Sequence, residues 1–126
     1  MEEPRQKKMA VIASKGTLDM AYPPFILATT AAALGWEVQI FFTFYGLQLL
    51  RKSLKTMMKQ KIKKHGVASL EDLRAMCLEA DIKMIACQMT IDLFEFKKSE
   101  FIDGIEYGGA AMFLEFAGEA DVTLFI

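Results

Sequence analysis

Cys87 stands where an apolar run, Ile82-Lys-Met-Ile-Ala86, gives way to Gln88-Met-Thr-Ile-Asp92, a sequence able to open a helix. A thiol at the end of a strand and the start of a helix lies beside unpaired backbone N–H groups. Their partial positive charge favours thiolate, the nucleophilic form, over thiol. Open α/β sheets also place their working groups just beyond the carboxyl ends of the strands. The ordinary alternative is structural, since free cysteine is among the most buried residue types. The junction tips the reading, and chemistry is expected at Cys87.

The other reactive residue types carry less. Cys77 lies on the apolar face of its own helix and is expected in the core. It is also badly placed to pair with Cys87. That helix runs antiparallel to the strand after it, and Cys87 lies roughly 16 Å along the strand at ~3.3 Å per residue. Cys77 is only about 5 Å back from its helix end at ~1.5 Å per residue. The remaining gap exceeds the ~7 Å between Cα atoms that a disulfide spans. His65 sits beside a basic run and reads as a surface residue. One histidine and two separated cysteines do not make a zinc site, so no metal is expected. Gly-x-Gly-x-x-Gly, a phosphate loop and a Ser-His-Asp arrangement are all missing from the sequence, and thiol chemistry needs no cofactor. Asp19, Asp92, Asp103 and Glu106 show no spacing that would pair them for acid–base work.

A chain of 126 residues that is 53% hydrophobic and 25% charged predicts one folded domain over 1–126. A net charge of −1 points away from nucleic acid. Two cysteines without Cys-x-x-Cys spacing suggest a reducing, cytoplasmic setting. Residues 1–7 are polar, with no apolar core, and read as a flexible end and not as a signal peptide. Met20–Trp36 and Val38–Leu50 are uncharged, but neither reaches the ~20 apolar residues that span a bilayer. Glu37 divides them, and Pro23, Pro24 and Gly35 interrupt them, so no membrane span is expected.

The elements that must position Cys87 follow from the pattern. Met9–Ser14 is a short apolar run between lysines, as in a buried parallel strand. Lys15-Gly16-Thr17 turns the chain. A helix is expected from near Tyr22, with the prolines in its first turn, to Gly35. It is apolar almost all round, which implies burial on several sides. Glu37–Phe42 is a second strand, and Leu47 begins a helical stretch. Seven basic residues follow: Arg51, Lys52, Lys55, Lys59, Lys61, Lys63 and Lys64. Leu54, Met57, Met58 and Ile62 between them make residues 51–66 a basic amphipathic or mobile segment, a solvated face or a docking site for an acidic protein. Ser69-Leu-Glu-Asp72 reads as a capping box opening a helix with Leu70, Leu73, Cys77 and Ala80 on one face. After the third strand and Cys87, short helical pieces are expected near 90–94 and 99–102, then a turn at Asp103-Gly104. Tyr107–Ala117 reads as the last helix and Asp121–Ile126 as the closing strand. Strands alternating with helices predict an α/β fold, a mostly parallel sheet with helices on both faces.

Five stretches, in order along nearly the whole chain, resemble the DsrE/DsrF-like family of sulfur-relay proteins, in the branch labelled peroxiredoxin-like. They are Ser14-Lys-Gly-Thr-Leu-Asp19, Phe41-Phe-Thr-Phe-Tyr-Gly-Leu47, Ile85-Ala-Cys-Gln-Met-Thr-Ile-Asp92, Asp103-Gly-Ile-Glu-Tyr-Gly-Gly109 and Leu124-Phe-Ile126. The Pro-x-x-x-Thr-x-x-Cys pattern of a peroxiredoxin is absent. The resemblance implies a three-layer α/β/α sandwich, flavodoxin-like in layout, that forms homo-oligomers. It implies sulfane sulfur carried as a persulfide, and the sulfur-carrying cysteine of the family falls on Cys87. TusA-like or rhodanese-like proteins are the implied donor and acceptor. Around Cys87, the expected residues for binding the cargo and stabilising the persulfide are Gly16, Thr17, Thr43, Phe44, Tyr45, Gln88 and Met89, with Phe44, Tyr45 and Met89 shielding it from water. The rival readings are an oligomeric small-ligand-binding module with a structural Cys87, and a membrane-associated partner of a sulfur transporter anchored through 20–50.

Overall fold

Five strands, β1 (Lys8–Ala13), β2 (Glu37–Phe42), β3 (Lys83–Cys87), β4 (Glu106–Gly108) and β5 (Val122–Phe125), form one sheet in the order β4-β3-β2-β1-β5. The pairings β1–β2, β1–β5, β2–β3 and β3–β4 are all parallel. The computed structural model describes residues 5–54 and 68–126. His65 and most of the basic run lie outside them; of its cations only Arg51 and Lys52 lie within. The helices are α1 (Leu18–Ala33), α2 (Leu70–Glu79), α3 (Gln88–Leu93) and α4 (Ala110–Ala117), with 3-10 turns at Phe44–Leu50 and Lys98–Glu100.

Strand order explains how the helices divide between the faces. The chain steps from β1 to β2 to β3 to β4 in one direction, then returns past β1 to place β5 on its far side. Parallel crossovers are almost always right-handed, so steps in opposite directions leave their helices on opposite faces. On one face, Val11, Ile40, Phe42, Met84 and Ala86 pack with Ala21, Phe25 and Ala28 of α1 and Leu70, Leu73 and Cys77 of α2. On the other, Ala10, Phe41, Ile85 and Cys87 pack with Phe113 and Phe116 of α4. Phe41 and Phe113 stack there with ring centroids 5.1 Å apart. The result is the α/β/α sandwich expected from the alternation of strands and helices. Cys77 and Cys87 belong to opposite layers, which separates the two thiols more thoroughly than distance along the chain.

Local signals account for much of this. Ser69 Oγ accepts from the Asp72 N–H at 3.1 Å, and Asp72 Oδ2 accepts from the Ser69 N–H at 3.3 Å, closing the capping box that starts α2. Gly35, at φ +86°, ends the turn after α1 in a conformation that favours glycine.

Three elements depart from expectation. Helix α1 begins at Leu18, and Pro23 and Pro24 lie inside it. Leu18 is packed against the core and Ala21 is fully buried. Burial of the first turn thus carries the helix through prolines that interrupt its hydrogen bonding. Tyr107 belongs to a strand and not to the last helix, because Glu106–Gly108 pair with Ile85–Cys87 along the sheet edge. Phe44–Leu50 is a 3-10 turn, three of whose leucines, Leu47, Leu49 and Leu50, are buried. No helix among the described residues is long and apolar enough to cross a membrane.

Candidate functional site

Because the strands are parallel, their carboxyl ends share one edge of the sheet. Register brings Ala13, Phe42 and Ala86 level across β1, β2 and β3, and sets Cys87 beside Gly108 on β4. The chain leaving β2 and the edge strand β4 therefore lies beside Cys87, and the turn after β1 packs on the segment after β2. Gly108 opposes the cysteine with no side chain of its own, and the Met112 thioether from α4 covers it.

Cys87 closes β3 and is the N-cap of α3, with φ −66° and ψ 113°. Ser, Thr, Asp or Asn usually hold that position, where a side chain accepts from the backbone N–H groups two and three residues on. Only 4% of the Cys87 surface is exposed, but the residue lies at the rim of the sheet, so this burial is shallow. Burial is the largest single influence on its thiol and pushes the pKa up. The Thr90 hydroxyl, the Thr90 N–H, the Thr43 hydroxyl and the Met89 N–H push the other way, and together they lower it below the ordinary thiol value. The sulfur makes no formed cap hydrogen bond. Cys77 is the counterexample: buried among apolar side chains without such donors, its thiol is pushed up to about 12.

Thr90 is fully buried. Its Oγ1 accepts from the Phe44 N–H at 3.1 Å and lies 3.3 Å from Thr43 Oγ1. Phe44 holds φ +49°, the left-handed region that a bulky residue enters only under constraint. The turn is wedged in place from below. The Thr43 N–H donates to the Ala13 carbonyl at 3.1 Å, and a Cβ at Gly46 would fall on that same carbonyl oxygen. A Cβ at Gly16 would come within 2.7 Å of the Tyr45 carbonyl, so the turn after β1 packs on the same segment.

Of the residues expected around the sulfur, Thr43 and the Met89 N–H are among the groups that lower the pKa of its thiol. Phe44 contributes through its backbone, which holds Thr90. Its ring and that of Tyr45 are exposed and lean on Phe94, with centroids 6.1 and 5.9 Å away. The Met89 side chain is also exposed. Gln88 turns along α3, its Nε2 donating to Asp92 Oδ1 at 2.9 Å. Gly16 and Thr17 lie in the turn after β1, at the same end of the sheet, with Gly16 against the Tyr45 carbonyl. The sequence reading missed Thr90, Gly108 and Met112. Thr90 was within reach of it, as a polar residue in the third position after the cysteine, between the apolar Met89 and Ile91. Among the described residues no cluster of His, Cys, Asp and Glu has the arrangement of a metal site.

The model of the DsrE/DsrF/DrsH-like family matches residues 5–56 and 53–125. The sulfur carrier protein DsrE2 of Allochromatium vinosum is 54% identical over 157 residues, covering 96% of this chain and 99% of that protein. YrkE of Bacillus subtilis is 32% identical over 155 residues, covering 95% of this chain and 97% of its own. Both alignments are longer than this chain of 126 residues, so each relative carries residues without a counterpart here. Among solved structures, the ychN protein from E. coli superposes with a TM-score of 0.76 at 13% identity, covering 96% of this chain and 100% of that one. MTH1491 from Methanobacterium thermoautotrophicum gives 0.62 at 9%, covering 94% and 99%. These two likenesses concern the fold.

Proposed function

The chain belongs to the DsrE/DsrF/DrsH-like family, and on that premise we propose that it is a sulfur carrier whose cargo rides on Cys87. The observation that carries the reading is the place of the thiol, at the carboxyl end of β3 and the N-cap of α3, beside a glycine on β4; its lowered pKa agrees with it. The name of the Allochromatium relative, a sulfur carrier, supports the same reading.

The chemistry is two thiol exchanges. The Cys87 thiolate attacks the outer sulfur of a donor persulfide, R–S–SH. A new S–S bond forms, the donor's S–S bond breaks, and the donor departs as R–S⁻, leaving Cys87–S–SH. An acceptor thiolate then attacks that outer sulfur, and Cys87 leaves as thiolate. No net oxidation occurs, and no metal or cofactor is required. The environment that stabilises the Cys87 thiolate aids both steps, forming the nucleophile in the first and the leaving group in the second. Thiosulfonate is the alternative cargo on the same sulfur. The carrier is a cytoplasmic homo-oligomer, and its donor and acceptor are thiol-bearing proteins of the TusA-like or rhodanese-like kind.

Intact mass spectrometry after incubation with polysulfide, tetrathionate or thiosulfate tests this. A gain of one sulfur atom or one thiosulfonate, reversed by reductant, is expected in the wild type and in Cys77→Ala, and is lost in Cys87→Ser. The low exposure of Cys87 favours a second reading, a small-ligand-binding module in which the cysteine is structural. No adduct with any donor, in a protein whose Cys87 resists alkylation, selects that reading and rejects the carrier.

A further inference from the structure

Thr90 is a fully buried hydroxyl on a helix that valine would pack equally well, and among the described residues Arg74 is the other buried polar side chain. An apolar replacement of the same shape would avoid the cost of desolvating that hydroxyl. The threonines within α1 turn their hydroxyls back on their own helix, Thr29 to the Phe25 carbonyl and Thr30 to the Ile26 carbonyl, each at 2.8 Å. Thr90 instead reaches across to the chain leaving β2. The Phe44 N–H occupies one side of its oxygen, and Thr43 Oγ1 stands on another. A hydroxyl whose oxygen is already accepting has its proton free to donate, here within reach of Thr43 Oγ1.

We propose that Thr90, held by the strained Phe44 backbone and paired with Thr43, is a positioning residue that presents hydroxyl donors to the anionic sulfur on Cys87, in the thiolate and in the persulfide alike. The inference rests on the carrier reading for its persulfide half, and for its thiolate half on the place of the buried Thr90, paired with Thr43, in the first turn of the helix that Cys87 caps. The lowered pKa of Cys87 agrees with it. The titratable groups on the elements around the sulfur are otherwise engaged or turned outward. Glu106 on β4 pairs with Lys83 at 3.2 Å, and Tyr107 lies under the Lys98 ammonium at 4.5 Å. Asp92 on α3 accepts from Gln88, and Tyr45 and Glu115 are exposed. Among the described residues no charged side chain bears on the thiol, which leaves the task to neutral donors.

The test is the pH profile of iodoacetamide alkylation at Cys87, located by peptide mass, in wild type, Thr90→Val, Thr90→Ser and Thr43→Val. The midpoint is expected to rise by about one pH unit in Thr90→Val, slowing alkylation at neutral pH roughly tenfold. Thr90→Ser should restore the wild-type profile, and Thr43→Val should shift it in the same direction as Thr90→Val. A purely structural Thr90 would change the melting temperature and leave the midpoint where it was, which would overturn the proposal. So would a serine variant that shifts as far as valine. If Thr90→Val does not fold, Thr43→Val, altered at a half-buried position, decides alone: an unmoved midpoint rejects the hydroxyl pair. Polysulfide loading at neutral pH, followed by mass, should slow by the same factor in the valine variants. A normal hydroxyl dependence of alkylation without any loading would reject the carrier reading and leave the thiolate half of the proposal standing.

Discussion

The two cysteines show how far surroundings divide one side-chain chemistry. Both are nearly or fully buried, but Cys87 faces hydroxyl and N–H donors at a strand end, whereas Cys77 faces carbon. The consequence for Cys77 is a dependence of stability on alkaline pH. Its thiol is pushed from an ordinary 9.0 up to about 12, so between those values the unfolded chain releases a proton that the native chain keeps. The native state then binds more protons, and stability falls as pH rises. At ~1.36 kcal/mol per unit, the loss between pH 9 and about pH 10.5 is about 2 kcal/mol. Cys77→Ala lacks this component. Urea unfolding of both proteins at those two pH values should show wild-type stability falling by that amount relative to the variant; parallel behaviour would contradict the assigned burial. Cys87 has the opposite sign. Its depressed pKa adds stability at alkaline pH, and that contribution is lost as pH falls through the folded value.

At the scale of elements, the segment after β2 does most to shape the site. The Arg74 guanidinium from α2 donates to the Leu49 carbonyl at 2.9 Å and the Arg51 carbonyl at 2.6 Å, closing off the end of the 3-10 turn. Its partial burial lowers its pKa, but an arginine remains charged at any ordinary pH. Removing it strands two carbonyls in a poorly hydrated place, and Arg74→Ala is expected to cost about 2–4 kcal/mol in denaturant unfolding. At the other end of the turn, an alanine at Gly46 would drive its Cβ into the Ala13 carbonyl, a backbone obstacle with no freedom to move. Gly46→Ala should destabilise by roughly 3 kcal/mol or more. If it folds, it should also raise the midpoint of Cys87 alkylation, because Thr43 and Phe44 are displaced together. Gly108→Ala is the control. Its Cβ would meet the Sδ and Cε of Met112 at 2.8 Å, the far end of a flexible side chain, and a loss below about 1 kcal/mol is expected. Equal losses in the two variants would show that the close approach at Gly46 carries no special weight.

The whole molecule is covered unequally. One face of the sheet is packed by α1 and α2, whereas the other receives the eight residues of α4. Phe125 on β5 is consequently 71% exposed and Leu114 on α4 60% exposed. On the far side, Ile26 and Leu27 of α1 and Leu34, which caps its end, are exposed. Large apolar side chains grouped at a surface favour association. The proposed homo-oligomer predicts a light-scattering mass that is a multiple of the 14.2 kDa chain. Phe125→Glu combined with Leu114→Glu should reduce that mass if the α4 face is buried between copies. A wild-type protein that remains monomeric at concentrations of tens of micromolar would reject the oligomer.

How much of this was legible in the chain depends on the range of each signal. The apolar runs of β1, β2, β3 and β5, the capping box at Ser69 and the placement of Cys87 at a strand-to-helix junction are short-range features. Neighbouring residues determine them through periodicity and hydrogen-bonding chemistry, and the five motif stretches determine the family. Strand β4 was illegible because three residues, one of them glycine, have no period; its strand state comes from pairing with β3. The prolines of α1 were misleading because burial of Leu18 and Ala21 outweighs a local preference to start the helix later. The face on which Cys87 lies, the opposition of Gly108, and the meeting of Thr43 with Thr90 across 47 positions of sequence were decided only by strand order and crossover handedness. The sequence by itself thus determined which cysteine stands at a strand-to-helix junction and which family the chain belongs to. The tertiary structure decided which hydroxyls stand beside that sulfur, because groups far apart in the chain meet only where the sheet brings the ends of its strands together.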